Sequence, residues 1–152
     1  MLVRGGISSG KLVHKGSNVY GPALIDAYEL ECEKAKFPRI ILDSTLAEDW
    51  GRNIPVLDND SSLIGHEKIW RKDEDGYIFY DFLQPHSGIP GIEVDSSCID
   101  NILAPYRKLI IDGLERYRDD VKVFPKYKWG ANYLNSVLSE YPQSSLETIE
   151  VM

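Results

Sequence analysis

Apolar and polar positions alternate loosely along residues 2–8 and 11–15, which predicts two short strands joined at Gly10. The first strand carries paired glycines at positions 5–6. Such a pair usually marks a bulge, or a close approach by a ligand or another backbone. The apolar run 39–43 is too short for a helix and rich in isoleucine, so it predicts a buried strand.

A helix is predicted between the second strand and this buried one. Gly21-Pro22 marks its start, because proline is favoured at the first helical position. It should end near Phe37, because Pro38 disfavours helical geometry in its predecessor. Residues 1–43 therefore predict a strand–strand–helix–strand unit. The predicted inward stripe of the helix is Leu24, Ala27 and Tyr28.

The middle of the chain, residues 44–96, combines loops with a hairpin. Ser44 is predicted to cap a short helix over 45–51. The hairpin is predicted from strands at 68–72 and 77–81, because the Asp-Gly pair between them supplies the positive-φ positions of a tight turn.

The last third predicts a helical pair over residues 97–141, because apolar positions recur there with helical period. Pro105 either opens or kinks the first helix. The second spans about 123–140, and residues 142–152 lack a pattern and predict a frayed tail. The inward positions predicted for the second helix are Phe124, Tyr127, Ala131, Leu134 and Leu138.

These elements predict one α+β domain, in which a mixed, mostly antiparallel sheet carries packed helices and a C-terminal helical hairpin. A length of 152 residues is enough to bury a core. The net charge of −7 argues against broad nucleic-acid binding and against anionic membrane surfaces. With no leader pattern and two cysteines in no metal-like spacing, a cytoplasmic protein with reduced thiols is expected.

Three segments at the start of the chain resemble class III nucleotidyl cyclases. Residues 4–10 read RGGISSG and resemble the family's Arg-x-Gly-Ile-x-x-Gly strand. Residues 19–24 resemble the glycine turn and helix start, and residues 38–42 resemble the strand that follows. The resemblance covers roughly the first 43 residues. It implies the C-terminal half of a divergent cyclase domain and a remnant of a ferredoxin-like sheet.

The helix departs from the family's catalytic pattern. Aligned on Gly21, the family's catalytic Asn falls on Ile25 and its transition-state Arg on Glu29. A carboxylate would repel the charge that develops on phosphate oxygens. The pattern of residues 21–31 is closer to divergent members, which include pyrimidine cyclases of bacterial anti-phage systems. The two metal-binding aspartates of the family would lie before Met1, so Mg²⁺ or Mn²⁺ is expected only where a parent domain supplies them.

The resemblance predicts a cyclase-like nucleotide-binding or regulatory module that is catalytically incomplete and has no metal ligands of its own. It implies a homodimer or larger assembly, because cyclases of this class build their sites between two subunits. The competing interpretation is a non-catalytic interaction or oligomerisation domain, whose aromatic surfaces at Trp129, Asn132 and Tyr133 bind a partner. The residues predicted to line a nucleotide groove are Arg4 (near phosphate), Gly5, Gly6, Asn18, Tyr20 and Gly21.

Four other groups of residues carry weaker alternatives. The three histidines lie far apart and lack ligand spacing. Asp58 and Asp60 resemble the opening of a calcium loop without its glycine and distal glutamate. Ser8 and Ser9 lack the surroundings of a nucleophile. The aromatic residues of the central hairpin could stack on bases, although cross-strand pairing in a half-buried sheet is the simpler interpretation.

Overall fold

A computed structural model describes residues 2–53, 70–84 and 94–151. The chain forms two compact units, Leu2–Asp81 and Phe82–Met152. The predicted α+β class is confirmed. None of the helices in the described ranges is long and apolar enough to cross a membrane.

In chain order the elements are β1 (Gly5–Ile7), β2 (Val13–Lys15), β3 (Asn18–Tyr20), α1 (Pro22–Glu29) with a π-helical extension (Leu30–Lys34), β4 (Ile40–Leu42), α2 (Ser44–Asn53), β5 (Trp70–Lys72), β6 (Ile78–Tyr80), α3 (Ser96–Arg116) and α4 (Phe124–Glu140).

The first unit contains a four-stranded sheet in the order β1-β4-β6-β5. β1 and β4 run parallel, with Gly6 opposite Ile41, and the other two pairings are antiparallel. The sheet is therefore mixed and mostly antiparallel, as predicted. Ile41, Leu42 and Phe79 are buried and form its core.

The segment between β1 and α1 differs from its prediction. The strand predicted over residues 11–15 is observed as the shorter β2, which pairs antiparallel with β3. The residues of β3 had been predicted as part of the turn before the helix. Gly16 takes a positive φ of 63° in the connection, which glycine adopts without steric cost. β1 pairs with β4 and lies in a different sheet from β2. All six residues of the β2–β3 hairpin are exposed.

Helix α1 begins at Pro22, as predicted, but its buried face is not the predicted one. Ala23 is buried and Ala27 is half-buried, whereas Leu24 and Tyr28 are exposed. The reason is the close approach of the helix to β1: a Cβ on Gly6 would lie 2.6 Å from the Ala27 carbonyl oxygen. Small residues therefore face the strand, and the larger apolar residues face away.

Two local features around β4 also differ from prediction. The π-helical extension of α1 ends at Lys34, before the predicted stop near Phe37. Helix α2 is capped by Asp43 instead of Ser44, because the Thr45 N–H donates to Asp43 Oδ1 at 2.9 Å. The Thr45 hydroxyl and this amide lower the pKa of Asp43.

The predicted central hairpin is present as β5 and β6. Gly76 has a φ of 87° in its turn, which confirms the positive φ predicted for the glycine of the Asp-Gly pair, whereas Asp75 does not take a positive φ. Trp70 and Tyr80 form a cross-strand edge-to-face pair with ring centroids 5.8 Å apart, so the hairpin aromatics pack in the sheet.

Arg39 joins this hairpin to β4. Its side chain is fully buried, and its guanidinium donates to the carboxylates of Asp73 and Asp75 in the hairpin turn. The guanidinium also lies 5.4 Å from the ring centroid of Phe37 and 5.9 Å from that of Phe79. The turn of one hairpin is therefore fixed to the strand by charge and by aromatic packing.

The second unit is built on α3 and α4, which confirms the predicted helical pair. Pro105 lies inside α3. The helices approach closely at two glycines: a Cβ on Gly113 would lie 2.0 Å from the Tyr127 ring, and one on Gly130 would lie 2.5 Å from Ile110 Cδ1. Of the positions predicted to face inward, Ala131, Leu134 and Leu138 are buried, whereas Phe124 and Tyr127 are half-buried.

Tyr133, predicted to lie on a second contact surface with Trp129 and Asn132, is buried instead. Its hydroxyl accepts a hydrogen bond from the Leu83 N–H at 3.0 Å, and its ring packs edge-on against Phe82. Trp129 stacks on the Tyr133 ring, and of the three only Asn132 is exposed. The interaction surface predicted here is therefore largely part of the core of the unit.

The C-terminal segment, predicted as a frayed tail, is held in place. Asp100 on α3 accepts hydrogen bonds from the hydroxyls of Ser144 and Ser145. Further along, Asn135 exchanges two hydrogen bonds with the backbone of Ile149, each 2.8 Å long. Specific polar contacts therefore fix a stretch that has no hydrophobic period.

The hydrogen bonds that Asp100 accepts predict that stability depends on pH in the acidic range. The two serine hydroxyls and the Ser145 amide lower the pKa of Asp100 from its ordinary value of 3.8. A lowered pKa means that the contribution to stability is present above pH 3.8 and is lost as the pH falls through the folded value. In a ¹⁵N–¹H NMR titration, the Ser145 amide should shift with a midpoint below 3.8. Asp100→Asn should abolish that titration and loosen the segment, whereas Asp112→Asn should do neither.

Candidate nucleotide site

The six residues predicted to bind nucleotide all lie in the first unit, on β1, β3 and the start of α1. Gly21 is the N-cap of α1 and has a φ of 148°. A Cβ there would lie 2.4 Å from the Lys11 carbonyl oxygen, so this position requires glycine. The glycine turn therefore brings the chain before β2 against the first turn of the helix.

Gly5 and Gly6 have different surroundings. Gly5 lies opposite Ile40 of β4, and a Cβ there would make only ordinary contact with the Ile40 side chain. Gly6 lies directly beneath the helix, where a Cβ would be 2.6 Å from the Ala27 carbonyl oxygen and 2.9 Å from Leu30 Cβ. The close approach predicted from paired glycines is thus observed at Gly6, and the neighbour is the chain's own helix.

Arg4 precedes β1 and pairs with a carboxylate. Its Nε lies 3.4 Å from Glu31 Oε1, and both side chains are substantially exposed. Exposed ion pairs of this kind contribute about 0–1 kcal/mol, so exchange of Glu31 for another anion would cost little. Arg4 therefore lies next to the glycine strand with its guanidinium accessible.

Asn18 and Tyr20 occupy the two ends of β3. Asn18 lies opposite Lys15 near the tip of the hairpin, and Tyr20 lies opposite Val13 at its base. Both side chains are exposed. An exposed amide can hydrogen-bond a base edge, and an exposed phenol ring can stack on one.

Ile25 and Glu29, the positions on which the sequence resemblance places the catalytic residues of cyclases, are both exposed on α1. They lie one helical turn apart, on the side of the helix that faces away from β1. The outer face of α1 thus presents an apolar side chain at Ile25 and a carboxylate at Glu29.

Among the described residues, the other candidates add no second site. Across residues 2–53, 70–84 and 94–151, no three His, Cys, Asp or Glu side chains are grouped as metal ligands would be. His14 is exposed on β2, and the Ser8 hydroxyl donates to the Ala23 carbonyl oxygen at 2.6 Å. The predictions for His66, His86, Asp58 and Asp60 lie outside the described residues.

The second unit holds a cleft of about 180 Å³ that sequence reasoning did not anticipate. None of the residues predicted to bind nucleotide lines it. Its two cations are already engaged, because Arg107 donates to the Glu147 carbonyl oxygen and Lys108 lies 3.7 Å from Asp112. The lining residues are Ala104, Arg107, Lys108, Ile111, Asp112 and Leu146.

A larger feature missed from the sequence is the apolar surface of the first unit. Two of the three residues of the predicted inward stripe, Leu24 and Tyr28, point outward, and the hairpin before the helix is exposed along both strands. The missed signal lies in two glycines, because Gly6 lies against the Ala27 carbonyl oxygen and Leu30, and Gly10 lies against the Ala23 side chain. The exposed large apolar residues of this region are Val3, Leu12, Val13, Val19, Tyr20, Leu24, Ile25 and Tyr28.

No protein-family model, curated protein or solved structure matches this chain.

Proposed function

We propose that the chain is a cyclase-like nucleotide-binding or regulatory module that forms a homo-oligomer and lacks a complete catalytic set. The observation that carries the proposal is the order strand, hairpin, helix, strand along residues 5–42. Within these residues, close packing requires glycine at Gly21, at the start of the helix, and at Gly6, beneath it. The residues that resemble the cyclase motif therefore also form a coherent local unit.

The accessible polar groups near this unit support nucleotide binding. Arg4 offers a guanidinium to phosphate, and guanidinium–phosphate pairs are among the stronger charge-assisted hydrogen bonds. Asn18 and Tyr20 offer an amide and an aromatic ring from the neighbouring hairpin. These three side chains are the ones that we assign to phosphate and base.

Thermal denaturation of the full chain with millimolar ATP, GTP, CTP or UTP, each with Mg²⁺ or Mn²⁺, tests the proposal. A ligand at about 100 times its Kd stabilises the native state by about 2.7 kcal/mol. For a chain of this size, that corresponds to a rise in Tm of roughly 5–10 °C. At least one nucleotide should produce such a rise.

Matched variants locate the effect. Arg4→Gln should reduce the nucleotide-dependent rise in Tm, because it removes the proposed phosphate contact. Lys128→Gln removes one exposed positive charge from the other unit and should leave the rise unchanged. If no nucleotide alters Tm at millimolar concentration, nucleotide binding is rejected.

The same outer face of α1 predicts the absence of cyclisation by this chain. Phosphoryl transfer depends on metal ions and on positive charge at the transferring phosphate, and Glu29 places negative charge where the family uses arginine. Incubation with each nucleoside triphosphate and Mn²⁺ should yield no cyclic nucleotide by mass spectrometry. Formation of a cyclic product that scales with protein concentration would contradict this assignment.

The second candidate function is a non-catalytic interaction or oligomerisation domain. The exposed apolar residues of the hairpin and of α1 favour it, because apolar patches of this kind mark interaction surfaces. The nucleotide titration separates the two: this second function predicts association without any nucleotide-dependent stabilisation.

A further inference from the structure

The β2–β3 hairpin lacks a stabilising surface of its own among the described residues. Each of its strands has three residues, and all six are exposed. A two-stranded hairpin is marginally stable in water unless a third strand or a helix covers one face. Val13 and Tyr20 lie on one of its faces and Val19 lies on the other, so burial would stabilise either face.

Helix α1 also has an apolar face without a cover in the described chain. Ala23 and Ala27 face β1, whereas the relative solvent-accessible surface is 46% for Leu24, 58% for Ile25 and 65% for Tyr28. Apolar residues on two sides of a helix indicate that both sides are packed. The structure fills only the side toward β1.

The hairpin and the helix carry opposite charges around these apolar residues. Residues 11–20 contain Lys11, His14 and Lys15 and no acidic residue. Residues 22–33 contain four acidic residues and no basic one. One surface therefore fits the other in charge as well as in hydrophobicity. The acidic residues are Asp26, Glu29, Glu31 and Glu33.

We propose that the β2–β3 hairpin of one copy packs on the outer face of α1 of a second copy, and that the second hairpin packs reciprocally on the first helix. A two-fold axis makes both contacts from one surface, so each acidic helix meets a basic hairpin. The hairpin and helix touch at their base, where the Ala23 N–H donates to the Lys11 carbonyl oxygen at 3.4 Å. This inference rests on the homo-oligomer of the proposed function and deepens it, and its test measures association in the absence of nucleotide.

The size of the surface favours a second copy as the occupant. A stable interface uses about 20–30 residues on each side and about 800 Å² per partner. Neither the hairpin nor α1 reaches that size alone, whereas residues 11–29 used together approach it. An arrangement in which each copy contributes both elements places one face of the hairpin and the outer face of α1 in the same interface.

Charge reversal tests this geometry with the full chain. Variant A carries Lys11→Glu and Lys15→Glu, and variant B carries Asp26→Lys and Glu29→Lys. In variant A both surfaces are acidic, and in variant B helix α1 carries two lysines and no carboxylate opposite a basic hairpin. Each variant should therefore be monomeric by analytical ultracentrifugation where the unaltered chain is dimeric. The affected residues are exposed, so both variants should keep the far-ultraviolet circular dichroism and Tm of a folded chain.

A mixture of variants A and B tests the geometry more specifically than either variant alone. Variants A and B together should form a 1:1 heterodimer, because the hairpin of each then faces a helix of opposite charge. A chain with Glu115→Lys and Lys128→Glu, reversals in the other unit, should dimerise like the unaltered chain. A monomeric unaltered chain at 100 µM, undiminished dimerisation of variants A and B alone, or failure of the mixture to associate would each overturn the proposal.

Discussion

Replacing Arg39 with methionine should lower the free energy of unfolding by about 3 kcal/mol. The guanidinium is fully buried and bonded to two carboxylates. Removal of one partner from a buried ion pair typically costs about 3–5 kcal/mol, because the remaining charge is left uncompensated. Asp73 and Asp75 retain some solvent contact, which places the expected loss at the lower end of that range. Urea denaturation monitored by fluorescence measures it.

Three companion variants test the cause of this loss. Arg4→Met removes an exposed ion pair and should cost less than about 1 kcal/mol. Arg39→Lys keeps the charge but not the two-pronged donor set, so its loss should be intermediate. Adding Asp73→Asn and Asp75→Asn to Arg39→Met should recover part of the stability. If Arg39→Met costs no more than Arg4→Met, the buried network does not stabilise the unit.

Replacing Gly113 with alanine should also destabilise the protein, although alanine is the better helix former. The intrinsic preference favours alanine by about 1 kcal/mol. Its Cβ, however, would lie 2.0 Å from the Tyr127 ring, and overpacking typically costs about 1–3 kcal/mol. The ring stacks on Tyr117 with centroids 5.5 Å apart, so it has little freedom to move. A net loss of about 1–2 kcal/mol is expected in urea denaturation.

The variant Tyr127→Ala tests this mechanism, because removing the ring should reverse the sign of the effect of Gly113→Ala on stability. Without the ring, Gly113→Ala should stabilise the protein by up to about 1 kcal/mol, because only the helix preference remains. Asn132→Ala, at an exposed position of α4, serves as the control for helix preference alone. A Gly113→Ala loss that persists in the Tyr127→Ala background would contradict the packing that the structure shows between the helices.

Local signals predicted much of this fold. The Asp-Gly turn fixed the position of the central hairpin, Gly21-Pro22 located the start of α1, and the helical period located the C-terminal pair. Each depends on residues close together in sequence, so a pattern is sufficient to find it.

Contacts between distant residues account for most of the errors. Arg39 is buried because its carboxylate partners lie in a turn more than thirty positions away, and no local pattern reports that distance. Tyr133 is buried because the Leu83 amide and the Phe82 ring approach it from fifty positions earlier. The C-terminal segment is ordered by Asp100, again from a remote helix.

The candidate site was only partly predictable. The glycines at 6 and 21 were identified from the sequence, but their neighbours are atoms of the same unit. The inward stripe of α1 was predicted correctly at Ala27 and wrongly at Leu24 and Tyr28, because the close approach at Gly6 turns the helix toward β1 through Ala23 and Ala27. The resulting apolar outer face became visible only in three dimensions.

The central claim is that the glycine strand, the hairpin and the start of α1 bind a nucleotide. A ¹⁵N–¹H NMR titration of the full chain with the nucleoside triphosphate that most raises Tm tests it residue by residue. Binding at this site should produce saturable shifts of the amides of Gly5, Gly6, Tyr20 and Gly21, with residues 96–151 unchanged. Shifts confined to residues 96–151, or no saturable shift at millimolar nucleotide, would contradict it.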